Sequence, residues 1–380
     1  MDLKKGASYF VLQGQAKVRD NTFSLENLSE AKGWRYNKMF LAVDCGKEAQ
    51  NLVYSELMGG YSEKKANTLY VHGKKLNDSK KEIDDYDNRF EIDFNDRENP
   101  EILKTIGERC FIKISIERDI EGKPITRKFL SSYDAIKYMA ENLKHDEDIT
   151  IRGNLKYSRY EGRTQIKKEI TSVYLTSEEA KEKGNYTEFR QLILLDTSSI
   201  WKADTENNVI PVIARVIDYD KSIKKNSVFE IKLEVPYDKT DKEDLEMKAT
   251  MLMKTLKPQK NITEAEIIGE FQESAPTVDI TEDQITDGVK YLMQIGRVSV
   301  QDLKEKVLKD NNKKLRRMIL ITPNCRMVEK PDGDFMFETC VTHDKYKEED
   351  LIVNVPQESE NTVMPDDKEA MIKELGIGIG

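Results

Sequence analysis

The chain has 380 residues, room for two or three domains each with its own core, and 34% of them are charged. Its 61 Lys and Arg against 70 Asp and Glu leave a net charge of −9, which excludes a wholly basic nucleic-acid binder but not a basic surface on an acidic chain. No apolar run approaches the ~20 residues that span a bilayer, and the opening MDLKKGASYF lacks the apolar core of a secretory signal, so a cytoplasmic protein is expected.

Residues 9–18, YFVLQGQAKV, read as a first strand with a glycine that lets it bend. Residues 20–33 are polar and expected as a loop. The second strand covers 34–45: Met39, Leu41, Val43 and Cys45 share the core face, while Tyr36, Lys38 and Phe40 take the other, beside Trp34. Two rings with a lysine between them are unusual for a solvated face; they either meet a ligand or pack under a neighbouring loop. Residues 46–98 form an excursion. LVYSELMGGY ends in a glycine pair suited to a turn, TLYVHG and FEIDF are short strands, and KKLNDSKKEIDDYDNR between them is expected as a solvent-exposed loop. Pro100 marks a helix start. CFIKISIE then alternates, with Cys110, Ile112, Ile114 and Ile116 inward and Phe111, Lys113 and Ser115 outward; a Glu121-Gly122 turn and PITRKFL follow.

At Ser131, with Asp134 three residues on, a capping pair opens a helix whose Ala135, Ile136, Met139 and Leu143 share one face. Ile149, Ile151, Gly153, Leu155 and Tyr157 then alternate with Thr150, Arg152, Asn154, Lys156 and Ser158, a half-buried strand with a basic outer face. Glu161-Gly162 turns the chain into a partner strand through Ile166, Ile170, Val173 and Leu175. Strands, a helix, then a long hairpin is the order of the oligonucleotide-binding (OB) barrel. FLSSYDAIKYMAENL followed by DITIRGNLKYSRYEGRTQIKKEITSVYL resembles the end of a single-stranded-DNA-binding protein of that fold. With VDCG (43–46), LMGGY (57–61) and KYKEEDL (345–351), the overall resemblance is to the single-stranded-DNA-binding proteins encoded by tailed phages. It implies a protein that coats strands in replication or recombination. Many bacterial relatives end in an acidic tail with a terminal aromatic that recruits partners; this chain ends KELGIGIG, which puts recruitment by that device in doubt.

Residues 177–188, SEEAKEKGNYTE, suit a linker or one exposed helical turn. The second half echoes the first: strands over 209–219 and 227–235, a helix over 243–257, and a strand over 262–271 with a late glycine. IKYMAENLKHDEDITIRGNL and ATMLMKTLKPQKNITEAEIIGEF both run from a methionine-containing helix through Leu-Lys into an Ile-Thr strand carrying a glycine, so a second barrel is expected. Further on, 280–296 reads as a helix, and Ser299 with Asp302 caps another through Leu303, Val307 and Leu308. Basic NKKLRR leads to a hairpin of MILITPNCRMV and DFMFETCV, an accessory subdomain rather than a winged helix, since no third helix is evident. The fold expected is mainly β with α+β additions: an OB-fold barrel with insertions over 1–176, a second OB-like barrel over 189–279, a helix-hairpin subdomain over 280–355 and a polar tail over 356–380.

No P-loop, GxSxG, HExxH or paired CxxC is present, the three histidines are far apart, and the four cysteines read as structural thiols, so no cofactor or metal is expected. The positive signal is cations beside rings: Arg152, Lys156, Arg159, Arg163, Lys167 and Lys168 on one hairpin with Tyr160, Lys113 on a neighbouring strand, and Trp34, Tyr36, Lys38 and Phe40 on the second. Single-strand binders need cations along the phosphate track and flat rings for unpaired bases, each stacked base contributing about 1–3 kcal/mol. The expected function is non-enzymatic binding of single-stranded DNA, with replication or recombination proteins as further partners and no membrane. Two alternatives stay open: a structural or protein-interaction module, and a metal-dependent nuclease or polymerase accessory enzyme.

Overall fold

The computed structural model describes residues 3–47, 49–274, 285–295, 297–298, 303, 315–330 and 333–352. The expected Ser299 cap and the tail from 356 lie outside them. In chain order the first half carries β1 (Ser8–Lys17), β2 (Phe23–Ser29), β3 (Trp34–Asp44), β4 (Leu52–Ser62), β5 (Thr68–Leu76), β6 (Glu82–Asp93), helix α1 (Pro100–Leu103), β7 (Ile112–Arg118), β8 (Pro124–Phe129), helix α2 (Ser132–Asn142), β9 (Asp148–Tyr160) and β10 (Arg163–Leu175). Pairing closes five of these strands into a ring: β1 with β3, β3 with β4, β4 with β10 in parallel at Glu56 and Glu169, β10 with β9, and β9 with β1. The β7–β8 hairpin extends β10 in parallel.

The local chemistry explains the ring. Ile149, Ile151, Leu155 and Tyr157 of β9 are buried while Arg152 is exposed, as strict alternation requires. Gly153 lies opposite Phe10, and a Cβ there would stand 2.1 Å from the Glu169 carbonyl oxygen and 2.6 Å from the Phe10 ring, so only glycine fits. Glu161 and Gly162 both take positive φ, 48° and 73°, the twist a two-residue hairpin turn demands. The Ser131 hydroxyl caps α2 by accepting from the Tyr133 N–H at 3.2 Å. Asp134 does not complete a capping box; it takes a bidentate ion pair from Arg97 instead. Ala135, Ile136 and Met139 of α2 then close one end of the core.

The second half carries α3 (Glu178–Glu182), β11 (Tyr186–Leu195), β12 (Val209–Asp220), β13 (Lys225–Pro236), α4 (Lys242–Thr250), β14 (Ile262–Ser274), α5 (Asp287–Gln294), β15 (Leu315–Pro323), β16 (Cys325–Glu329), β17 (Phe335–Thr339) and β18 (Val341–Tyr346). Its pairings run in the same order: β11 with β12, β12 with β13, β13 with β15 in parallel at Glu234 and Ile319, β15 with β14, and β14 with β11. Gly269 of β14 repeats the role of Gly153: it lies opposite Phe189, and a Cβ would stand 2.3 Å from that ring and 2.2 Å from the Ile319 carbonyl oxygen.

The two rings are fused. β1 pairs with β11 from Ser8 through Gln13, and one hydrophobic core runs from Phe10 and Leu12 to Phe229 and Leu320. Polar contacts pin the seam. Lys168 meets Glu273 with both side chains under 10% exposed, Lys5 Nζ reaches Asp218 at 2.6 Å, and the Tyr157 N–H donates to Asp218 at 3.0 Å.

Several expectations need correction. Residues 20–33 are not all loop: β2 forms because Phe23 packs on the core and the Phe40 N–H donates to the Thr22 carbonyl at 2.9 Å. The charged run over 74–89 largely extends the β5–β6 hairpin rather than looping free, since Val71 and Ile92 share a satellite core with Ile106 and Phe111. Phe111 is therefore buried, not outward, and so is Ser115; Cys110 ends a 3-10 turn and is half-buried rather than core. The run over 177–188 contains the short α3, and β11, which the sequence reading passed over, follows at once. MILITP joins the second ring as β15, so the terminal hairpin is only β16 with β17.

Candidate nucleic-acid interface

Along β3 the outward residues are Trp34, Tyr36, Lys38 and Phe40, opposite Ser62, Gly60, Met58 and Glu56 of β4. Met39, Leu41 and Val43 on the reverse are fully buried, so the core is served without the outward rings. Phe40 is 41% exposed and Met58 59%, while Trp34 and Tyr36 are half-buried. Lys38 Nζ stands over the Phe40 ring, 4.4 Å from its centroid, and makes no ion pair among the described residues, so a cation and a partly exposed ring share one spot.

Beyond Phe40 the surface sinks into a groove of about 310 Å³, walled by Phe40, Tyr54, Glu56 and Lys167 of the first ring, Lys17 at the end of β1, Arg19 of the β1–β2 connection, and Glu273 with Arg316 of the second half. Five cations and two carboxylates line it. Both carboxylates are answered: Glu273 by the buried Lys168, and Glu56 by Lys167 at 3.1 Å. Lys17 reaches Asp146 outside the groove at 2.6 Å. Arg19 and Arg316, both exposed, make no ion pair among the described residues, so the groove keeps a net positive field.

The structure thus unites Lys38, Phe40 and Lys167 and places the other expected residues around or away from them. Lys156 lies directly opposite Lys167 and 3.9 Å from Glu169, so the two lysines of this outer face each have a carboxylate beside them. Arg152 is exposed on β9, and Tyr160 and Arg163 are exposed at the hairpin tip. Arg159 is not a free cation: it pairs with Asp220, donates to the Val228 carbonyl at 2.6 Å and lies 4.6 Å over the Phe229 ring, which makes it a clasp on the second half. Lys168, expected as a surface cation, is buried in its pair with Glu273. Lys113 is engaged by Glu108 at 2.9 Å; hydrogen bonds from Lys128 and Lys113 hold that carboxyl down to about 2. Lys17, Arg19, Tyr54 and Arg316 were missed. Arg316 sat in the basic NKKLRR run, but only the fused fold brings it to a groove built by residues 17–56.

Among the described residues no three His, Cys, Asp or Glu side chains gather to hold a metal ion, and no helix is long and apolar enough to cross a membrane. No curated protein matches the chain in sequence. The chain is similar to two solved structures of the single-stranded DNA binding protein from Thermus aquaticus. The wild-type protein is 8% identical, with 71% of this chain and 87% of that one covered; a deletion mutant is 7% identical, with 74% and 100% covered. Each has a TM-score of 0.30, too low to establish a shared fold or function. A family model described as YorF matches residues 121–322, from the turn before β8 into β15. That match spans more than half of the chain, and the chain belongs to the YorF family.

Proposed function

We propose that this protein is a non-enzymatic single-stranded-DNA-binding protein made of two OB-like barrels, the first over residues 1–176 and the second beginning near 189. The observation that carries the reading is the groove beside Phe40, where an exposed ring under Lys38 adjoins Arg19 and Arg316, neither of which has an acidic partner among the described residues. Cations beside open rings are what an unpaired strand requires: phosphates meet the cations and bases stack on the rings. The strand enters along β3, with Lys156 and Lys167 beside it. Coating strands in replication or recombination is the role the resemblance to phage proteins supports, and four free cysteines suit a reducing cytoplasm.

The test is fluorescence titration with single-stranded and duplex oligonucleotides at several salt concentrations, in a Trp201→Phe background so that Trp34 reports alone. Single strands should quench Trp34, bind more weakly as salt rises, and outcompete duplex, whose bases are not available for stacking. Equal binding of duplex, or no binding, would overturn the reading.

A further inference from the structure

The β5–β6 hairpin projects from the first ring and carries a second aromatic surface that the groove does not use. Its inner face, with Val71 and Ile92, packs on Ile106 and Phe111. On its other face Tyr70 lies opposite Glu91 and His72 opposite Arg89. These residues and Tyr86 border a cavity of about 490 Å³. Tyr70 is 79% exposed and Tyr86 47%. Exposed tyrosines on a surface arm are ordinary unless something holds them in place, and here Tyr86 is held. The His72 ring lies 4.6 Å from the Tyr86 ring. His72 is itself fixed, with Nε2 3.0 Å from Asp84 Oδ1 and Nδ1 3.2 Å from Cys110 Sγ. Asp84 in turn accepts from the Arg109 N–H at 3.1 Å. Gly107 makes the arrangement possible, because a Cβ there would stand 2.3 Å from Asp84 Oδ1 and 2.5 Å from the His72 ring. Arg89 donates from Nε to the Tyr86 carbonyl at 3.0 Å and makes no ion pair among the described residues.

We propose that this face of the arm is a second binding site for the same unpaired strand, in which Tyr70 and Tyr86 stack on bases and Arg89 meets a phosphate. The inference rests on the single-strand reading of the groove. One preset ring, Tyr86, and one open ring, Tyr70, beside a guanidinium with no acidic partner among the described residues match a nucleotide, whose base has a π-face and whose phosphate is anionic. Glu91, across from Tyr70, supplies an acceptor for the amino edge of a stacked cytosine. Position along the chain supports the occupant. A strand laid on β3 from Phe40 to Trp34 reaches Ser62, the last residue of β4, from which the chain passes into the arm. Histidine, aspartate and cysteine here act as positioning residues for Tyr86.

The test compares oligodeoxycytidylates of two lengths, one of about 8 nucleotides, within the ~4–16 that one barrel of this kind covers, and one of about 30. In the full chain, Tyr70→Ala and Tyr86→Ala should each weaken the long oligonucleotide about tenfold and leave the short one unchanged. Tyr70→Phe should bind as wild type, because the ring remains. Phe40→Ala should weaken both lengths. If the long oligonucleotide binds both tyrosine variants as tightly as wild type while Phe40→Ala still weakens it, the arm site is wrong and the groove stands. A tyrosine effect equal at both lengths also overturns a separate site. If wild type binds neither length, both proposals fall.

Discussion

The two rings share a pairing order and a glycine facing a phenylalanine, yet their outward faces differ in charge. On the first, β3 presents Lys38 and Phe40 without carboxylate partners, next to a groove holding Arg19 and Arg316. On the second, the middles of the matching strands β12 and β13 present Arg215, Lys232 and Glu234, and these two cations are answered. Arg215 is held by Asp196 at 2.9 Å and by Glu348 at 2.5 Å, Lys232 by Glu234 at 2.9 Å, and Arg317 of β15 by the same Glu234. Trp201 is 59% exposed there, in a cavity whose one arginine, Arg215, is already held by acidic partners. A barrel scaffold therefore does not make a nucleic-acid site by itself; what distinguishes the groove of the first ring from the Trp201 cavity of the second is that its arginines have no acidic partner among the described residues.

The comparison requires the rings to keep a fixed relation, since Arg316 crosses the seam into the groove. The largest expected effect is at the seam. Lys168→Met leaves Glu273 buried without its partner and should cost about 3–5 kcal/mol in denaturant unfolding, while Lys168→Met with Glu273→Met should recover most of it. Full loss in the double variant would show that the packing, not the uncompensated carboxylate, sets the cost. Arg159→Ala should destabilise by about 1–3 kcal/mol, because the arginine is half-exposed and the pair is partly screened, although Asp220 is mostly buried. Binding loss in that variant without any stability loss would make Arg159 a strand contact after all.

Within the groove, Phe40→Ala should weaken single-strand binding by about 1–3 kcal/mol, leave the melting temperature near wild type and leave the salt slope nearly intact. A binding loss that tracks unfolding would mean that the ring only packs. The smallest effect concerns Glu108, which neutralises Lys113 and Lys128. Its carboxyl is lowered from 4.5 to about 2, so the stability it contributes is complete above about pH 4.5 and disappears as the pH falls through about 2. Glu108→Gln should lower the unfolding midpoint at neutral pH, with the gap closing toward pH 2; a gap independent of pH would deny the ion-pair origin.

Alternation made β9, β10 and the core face of β3 legible in the sequence, because a buried strand repeats every two residues whatever lies around it. The helix over 132–142 was legible for the same reason at helical period. Phe111 was misplaced because its burial comes from the β5–β6 arm, a partner that periodicity does not name. Arg159 and Lys168 looked like surface cations because hairpin position carries no sign of the second ring that buries Glu273 and Asp220. The groove itself was half legible: Lys38, Phe40 and Lys167 belong to patterned strands, while Arg19 sits at the edge of a loop and Arg316 arrives from 260 positions beyond Glu56 only through the fused sheet.

The most direct test of the account is the salt dependence of single-strand affinity in two charge variants. Arg19→Gln with Arg316→Gln should reduce the slope of log affinity against log salt by about 1.4, from ~0.7 per lost phosphate contact on a single strand, while Lys232→Gln on the second ring should leave it unchanged. An unchanged slope in the groove variant, or a reduced one in Lys232→Gln, would contradict the assignment of binding to the first ring.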